Sequence, residues 1–196
     1  MKLGLVTYNM AKDWDVPTII EHCVATGFQG VELRTTHAHK VEVNLSAKER
    51  QEVRKRFEDS PVEVAGLGSA FEFHSMDADE VRRNIEGTKA YSQLAADVGA
   101  PGVKVRPNGF PEGVSEQATL EQIGLSLREC GEFAKNLGVQ IRLEVHGRGT
   151  SHVPHIRTIM EVADHDNVFV CWNSNQGEVE NGSIKTNFDL VKDWIQ

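Results

Sequence analysis

Cysteine is scarce in this sequence: Cys23, Cys130 and Cys171 are the only three, scattered and odd in number. That pattern excludes a disulfide framework and a thiolate metal centre, and reads as reduced thiols packed in a core. No apolar run approaches the roughly 18 residues a membrane-spanning helix needs. Residues 1–5 alternate like a short strand rather than a secretory leader, so the expectation is a cytoplasmic protein with no membrane partner. A basic surplus is also missing. Against 21 Lys and Arg stand 29 Asp and Glu, a net charge of −8, which argues against nucleic acid as a partner. No Gly-x-Gly-x-x-Gly follows the first strand, and there is no phosphate loop, nucleophile elbow or CxxC, so dinucleotide, phosphoryl and acyl-transfer chemistries lack support. No linker or low-complexity tract divides the 196 residues, and the expectation is one domain over 1–196.

What the sequence does have is alternation between strand-like and helix-like segments. Strands are predicted at 3–7, 31–34, 62–67, 103–105, 140–145 and 168–172, from short β-branched or alternating runs bounded by turn residues. Between them, apolar residues recur at helical spacing. One helix is opened by Asp15 and Pro17 and closed by Gly27, one by a capping box at Ser46 to Glu49, and others span 77–98, 115–137 and 153–163, with a last one over 188–195. Six strand-then-helix units in 196 residues, roughly 33 residues each, meet the needs of a βαβ repeat and imply a parallel sheet with right-handed crossovers. The class is α/β. A complete eightfold barrel usually takes about 250 residues, so the expectation is TIM-barrel-like with six βα units visible, lacking the last two.

The placement of polar residues favours a barrel over an open doubly wound sheet. Tyr8, Asn9, Glu32, Arg34, His37, His74, Lys104, Arg106, Glu144, His146, Asn173 and Gln176 all fall in or just after the C-terminal end of a predicted strand. In an α/β barrel those ends converge on one mouth, where active sites are found. The stretch Ile141 to Arg148 carries the strongest signal, with Glu144 and His146 two residues apart and therefore on one face. A carboxylate between Leu143 and Val145 is costly to desolvate unless it is partnered. A metal, a proton-transfer role, and a structural ion pair to Arg142, Arg148 or Lys104 all remain open. Glu32 and Arg34 likewise share a face and either pair with each other or serve the mouth. His37, His39, His152, His155 and His165 are read as loop or helix-surface residues.

Three segments resemble the xylose isomerase-like TIM barrels, a family that includes sugar phosphate isomerases and epimerases, inosose dehydratases and apurinic endonuclease relatives. They are Gly27-Phe28-Gln29-Gly30-Val31-Glu32-Leu33, Leu94-Ala95-Ala96-Asp97-Val98-Gly99-Ala100 and Leu143-Glu144-Val145-His146-Gly147. The resemblance implies a divalent metal (Mn, Mg, Co or Zn) held by a Glu on strand five, an Asp on strand six, a His on strand seven and a Glu on strand eight. Glu144 matches the first of these, and Asn173 stands where the Asp is usual. By the same resemblance Glu144 doubles as the catalytic base, and Glu32, His74, Lys104, His146, Arg148 and Gln176 contact the substrate. The implied activity is isomerisation or epimerisation of a sugar or sugar phosphate by metal-assisted proton transfer through an enediolate. The alternative is a non-catalytic sugar-binding or scaffold protein on that fold, favoured by Asn173 and the missing units. The partner is a small sugar or polyol, and the open strand edges predict a homo-oligomer.

Overall fold

The computed structural model describes residues 2–196. Six strands alternate with six helices: β1 Gly4–Val6, α1 Val16–Thr26, β2 Gly30–Arg34, α2 Ala47–Glu58, β3 Glu63–Glu72, α3 Ala78–Val98, β4 Gly102–Arg106, α4 Glu116–Lys135, β5 Gln140–Glu144, α5 Val153–Ala163, β6 Val168–Cys171 and α6 Lys185–Val191. Short 3-10 turns cover Gln176–Glu178 and Lys192–Trp194. All six strands are parallel and lie in sequence order, each pairing with its neighbours in the chain. Among the described residues β1 and β6 do not pair, so the sheet curves as part of a barrel without closing.

Local sequence explains the element ends. Asp15 caps α1 through its side chain, Ser46 and Glu49 close a reciprocal capping box on α2, and Gly27 and Gly99 end α1 and α3 in the left-handed conformation. The helix stripes cover the outer face of the sheet. Val31, Leu33, Leu67, Val103, Val105, Ile141 and Leu143 are buried there, against Ile85, Leu94, Ile123, Leu127, Ile156 and Ile159 from the helices. Alternation then sends the intervening residues of each strand to the inner, concave face.

Two elements, β3 and α6, end or begin more than two residues from the sequence reading. β3 continues to Glu72: Gly66 and Gly68 are poor strand formers that nonetheless pair with β2 and β4, and after the irregular stretch at 69–71 Glu72 pairs with Arg106. It also carries more residues than its partners: Val31 and Glu32 face Val64 and Gly66, and Lys104 and Arg106 face Gly68 and Glu72, so β3 bulges towards the mouth. The sixth helix begins at Lys185 and gives way to a 3-10 turn after Val191, where Ile195 leaves the helical path to bridge Val170 of β6.

His39 is buried rather than on a loop surface. Its Nδ1 accepts the Val41 N–H at 3.0 Å, which leaves Nε2–H to donate to the Arg34 carbonyl at 2.8 Å, so the ring is held as one neutral tautomer. Burial pushes its pKa below the ordinary 6.5, despite the Arg34 carbonyl and Glu42 favouring the charged form. The folded state therefore binds this proton less readily than the unfolded chain, and stability is lost as pH falls below about 6.5. Urea unfolding between about pH 7 and pH 5 should show that loss, with a shallower pH slope in His39→Gln.

Candidate active site

The inner face of the sheet is charged where an ordinary barrel interior is filled by branched apolar side chains. Inward alternation on β2, β4 and β5 brings Glu32, Lys104 and Glu144 together. Lys104 Nζ lies 2.8 Å from Glu32 Oε1 and 3.5 Å from Glu144 Oε2, and the three side chains are only 13–16% exposed. Glu32 has to cross β3 to reach Lys104, and Gly68 permits it: a Cβ there would stand 2.7 Å from Glu32 Oε1. Glu144 is completed by Asn173, whose Nδ2–H donates to Oε1 at 2.8 Å. Burial disfavours the Lys104 ammonium, but Glu32 and Glu144 outweigh it and raise its pKa above 10.5. Glu144 thus has the Lys104 partner among those the sequence left open, while Arg142 turns to Gln140 and the Ala65 carbonyl. Glu32 pairs with Lys104 and not with Arg34, which instead lies 4.6 Å over the Tyr8 ring.

These groups line a cavity of 360 Å³ bounded by Val6, Tyr8, Arg34, Ser69, Lys104, Arg106, Glu144, His146 and Asn173, within the range of small-ligand sites. Arg106 and Asn108 fix Glu72 at 2.6 and 2.7 Å beside it. Among the described residues, the buried side-chain polar atoms without a hydrogen-bond partner are Glu32 Oε1, His74 Nδ1, Arg106 Nε and His146 Nδ1. The Lys104 ammonium is near Glu32 Oε1 but off the hydrogen-bond direction. All four atoms belong to the inner face or the loops above it, and unpaired groups of this kind are what a ligand satisfies.

Of the residues expected to bind substrate, Lys104 and His146 join Glu144 and Asn173 in this cavity, and Glu32 stands behind it against Lys104. His74 and Arg148 line a second, larger recess of 650 Å³ with Phe110 and Pro111, formed by the loops after β3, β4 and β5. Gln176 is exposed on the turn after β6 and lines neither recess. Sequence reasoning missed Ser69 and Glu72, because both lie in the part of β3 that small residues disguise; Ser69 Oγ–H donates to the Lys104 carbonyl at 2.6 Å.

Glu144 and Asn173, the pair expected to ligate a divalent metal, are hydrogen-bonded to each other in this structure. Both groups facing the Asn173 amide, the Glu144 carboxylate and the Val145 carbonyl at 3.4 Å, are acceptors, so the amide presents its N–H and not its oxygen. The other oxygen of Glu144 faces the Lys104 ammonium. Among the described residues no cluster of three or more His, Cys, Asp or Glu has the geometry to hold a metal.

The energetic coupling of the triad can be measured. Glu32→Gln should cost about 3 kcal/mol by leaving a buried ammonium undercompensated, and Glu32→Gln with Lys104→Met should cost less than the sum of the single changes. Urea denaturation of the four proteins checks this; additive losses would contradict it.

Comparison with known proteins agrees with the fold. The family model described as xylose isomerase-like TIM barrel matches residues 20–177. No protein of curated function matches the sequence. Among solved structures, D-psicose 3-epimerase from Clostridium cellulolyticum H10, solved with D-tagatose, superposes with a TM-score of 0.82 at 17% identity, over 100% of this chain and 71% of that one. The IOLI protein with a bound zinc atom gives 0.79 at 19% identity, over 95% and 67%. The probable 3-DHS dehydratase AsbF of Bacillus anthracis, involved in petrobactin synthesis, gives 0.78 at 20% identity, over 100% and 71%. At such identities the likeness speaks for the fold alone, but with the family match over most of the chain it is conclusive: this chain belongs to the xylose isomerase-like TIM barrel family.

Proposed function

We propose that the protein rearranges a small polyhydroxylated carbonyl compound, as a sugar or sugar phosphate isomerase or epimerase, by moving a proton on the carbon beside the carbonyl. The observation that carries this reading is Glu144: a carboxylate at the end of β5, nearly buried, facing a cavity of sugar dimensions lined by hydrogen-bonding groups. Glu144 takes the proton from the carbon next to the carbonyl, the C–H electrons form the carbon–carbon double bond of an enediolate, and the carbonyl oxygen takes the negative charge. Return of the proton to the former carbonyl carbon, while the neighbouring hydroxyl passes its proton to the enediolate oxygen and becomes the new carbonyl, isomerises the substrate; return to the opposite face of the original carbon, from a second acid, epimerises it. Arg34, Arg106 and His146 hold the hydroxyl groups, with His74 and Arg148 reaching a longer substrate or its phosphate from the adjoining recess. Proteins of this fold that carry the names epimerase and dehydratase support the substrate class. The free edge of β1 supports self-association of the chain as a homo-oligomer.

A second reading, a protein that binds sugar without transforming it, is favoured by the amide of Asn173 at a position where the family resemblance implies a carboxylate. Proton NMR of the protein with a panel of ketoses and aldoses in D₂O separates the two. Deuterium should enter the substrate carbon beside the carbonyl, and Glu144→Gln should slow that exchange by about 10²–10⁴-fold while sugar binding persists. Unchanged exchange in the variant would remove Glu144 from its role. Binding with no exchange in the unmodified protein would establish the second reading.

A further inference from the structure

An enediolate needs a positive charge near its oxygen, and the chain itself supplies one. We infer that the Lys104 ammonium is the resident cation of this mouth, and that by occupying the space between Glu32 and Glu144 it excludes a divalent metal from the carboxylate on β5. The inference rests on the proposed function for its chemical role, but its structural half stands on geometry alone.

Three observations carry it. First, Lys104 Nζ is 2.8 Å from the Glu32 carboxylate and 3.5 Å from that of Glu144, the two oxygen donors a divalent ion at this place would need. An ammonium and a divalent ion at that place would meet as like charges at contact distance, where a partly dry site screens their repulsion poorly. Second, the remaining oxygen of Glu144 is taken by an N–H of Asn173, so a metal would have to displace the lysine and turn the amide together. Third, the position is built. Lys104 rises from the middle of β4 opposite Gly68 and Arg142, and Gly68 leaves the space through which Glu32 reaches it. Small β3 residues here make room for a charge. When substrate is bound, the same ammonium, pointed at the floor of the cavity beside Glu144, donates to the carbonyl oxygen and balances the charge that develops there.

Removing the lysine leaves the Glu32 and Glu144 carboxylates without the cation they share, two oxygen donors of the kind a divalent ion accepts. The test is calorimetric titration of Mn²⁺ into the full chain, with thermal melts in the same buffers. The unmodified protein and Lys104→Arg should show no binding that depends on Glu144. Lys104→Met should bind Mn²⁺ at least about tenfold tighter than the unmodified protein, and Mn²⁺ should raise its melting temperature; adding Glu144→Gln should abolish both. Lys104→Gln serves the same purpose if the methionine variant does not fold. Mn²⁺ binding by the unmodified protein that is lost in Glu144→Gln would overturn the inference, and so would a lysine-free variant that folds and gains no affinity. Neither readout involves turnover. If no sugar exchanges deuterium and the Mn²⁺ pattern holds, the function falls and the exclusion stands; if exchange proceeds but needs Mn²⁺ held through Glu144, the reverse follows.

Discussion

The arrangement of this protein depends on keeping one ammonium and two carboxylates nearly dry on the concave face of a parallel sheet. Lys104, Glu32 and Glu144 come from three different strands and are each less than a fifth exposed. Isolated, any one of them would carry a desolvation cost of several kcal/mol, and together they offset it only if distances and partners are right. The rest of the mouth follows from that condition. Gly68 clears the crossing of Glu32, Asn173 closes the open side of Glu144, and Arg142 is turned away to Gln140 and the Ala65 carbonyl so that no second cation crowds the first.

The apolar half of the fold frees the inner face for this purpose. Stability rests on the outer layer, where α3, α4 and α5 seal the back of the sheet with Leu94, Ile123, Leu127, Ile156 and Ile159 at no or almost no exposure. Close approach matters there too: a Cβ on Gly124 of α4 would stand 2.6 Å from the side chain of Val162 on α5. With the core secured outside the sheet, the concave side can hold charged residues, at the strand ends that form the mouth of an α/β barrel.

Much of this was legible in the sequence, and the reason differs by element. The helices α3, α4 and α5 announced themselves because apolar spacing and capping residues agree with the packing. Glu144 was legible because a carboxylate flanked by Leu143 and Val145 in a strand demands an explanation, and Glu32 and Lys104 because each is a charge within a β-branched run. What the sequence hid was partnership. Spacing places Glu32 and Arg34 on one face, yet the bulge opposite Glu32 and the bare Gly68 direct Glu32 across β3 to Lys104. The extension of β3 through Ser69 to Glu72 was invisible because small residues say nothing about a strand whose pairing is tertiary. The donor direction of Asn173 is a property of the two acceptors around it and has no sequence signal.

The most direct measurement of the central interaction is the titration of Lys104, followed by NMR on protein labelled at lysine Cε, with Lys104→Arg to assign the signal. An ammonium held between Glu32 and Glu144 should titrate above the ordinary 10.5, and Glu32→Gln should move it down. A value at or below that of the surface lysines, indifferent to Glu32, would mean that the charge cluster does not organise this mouth.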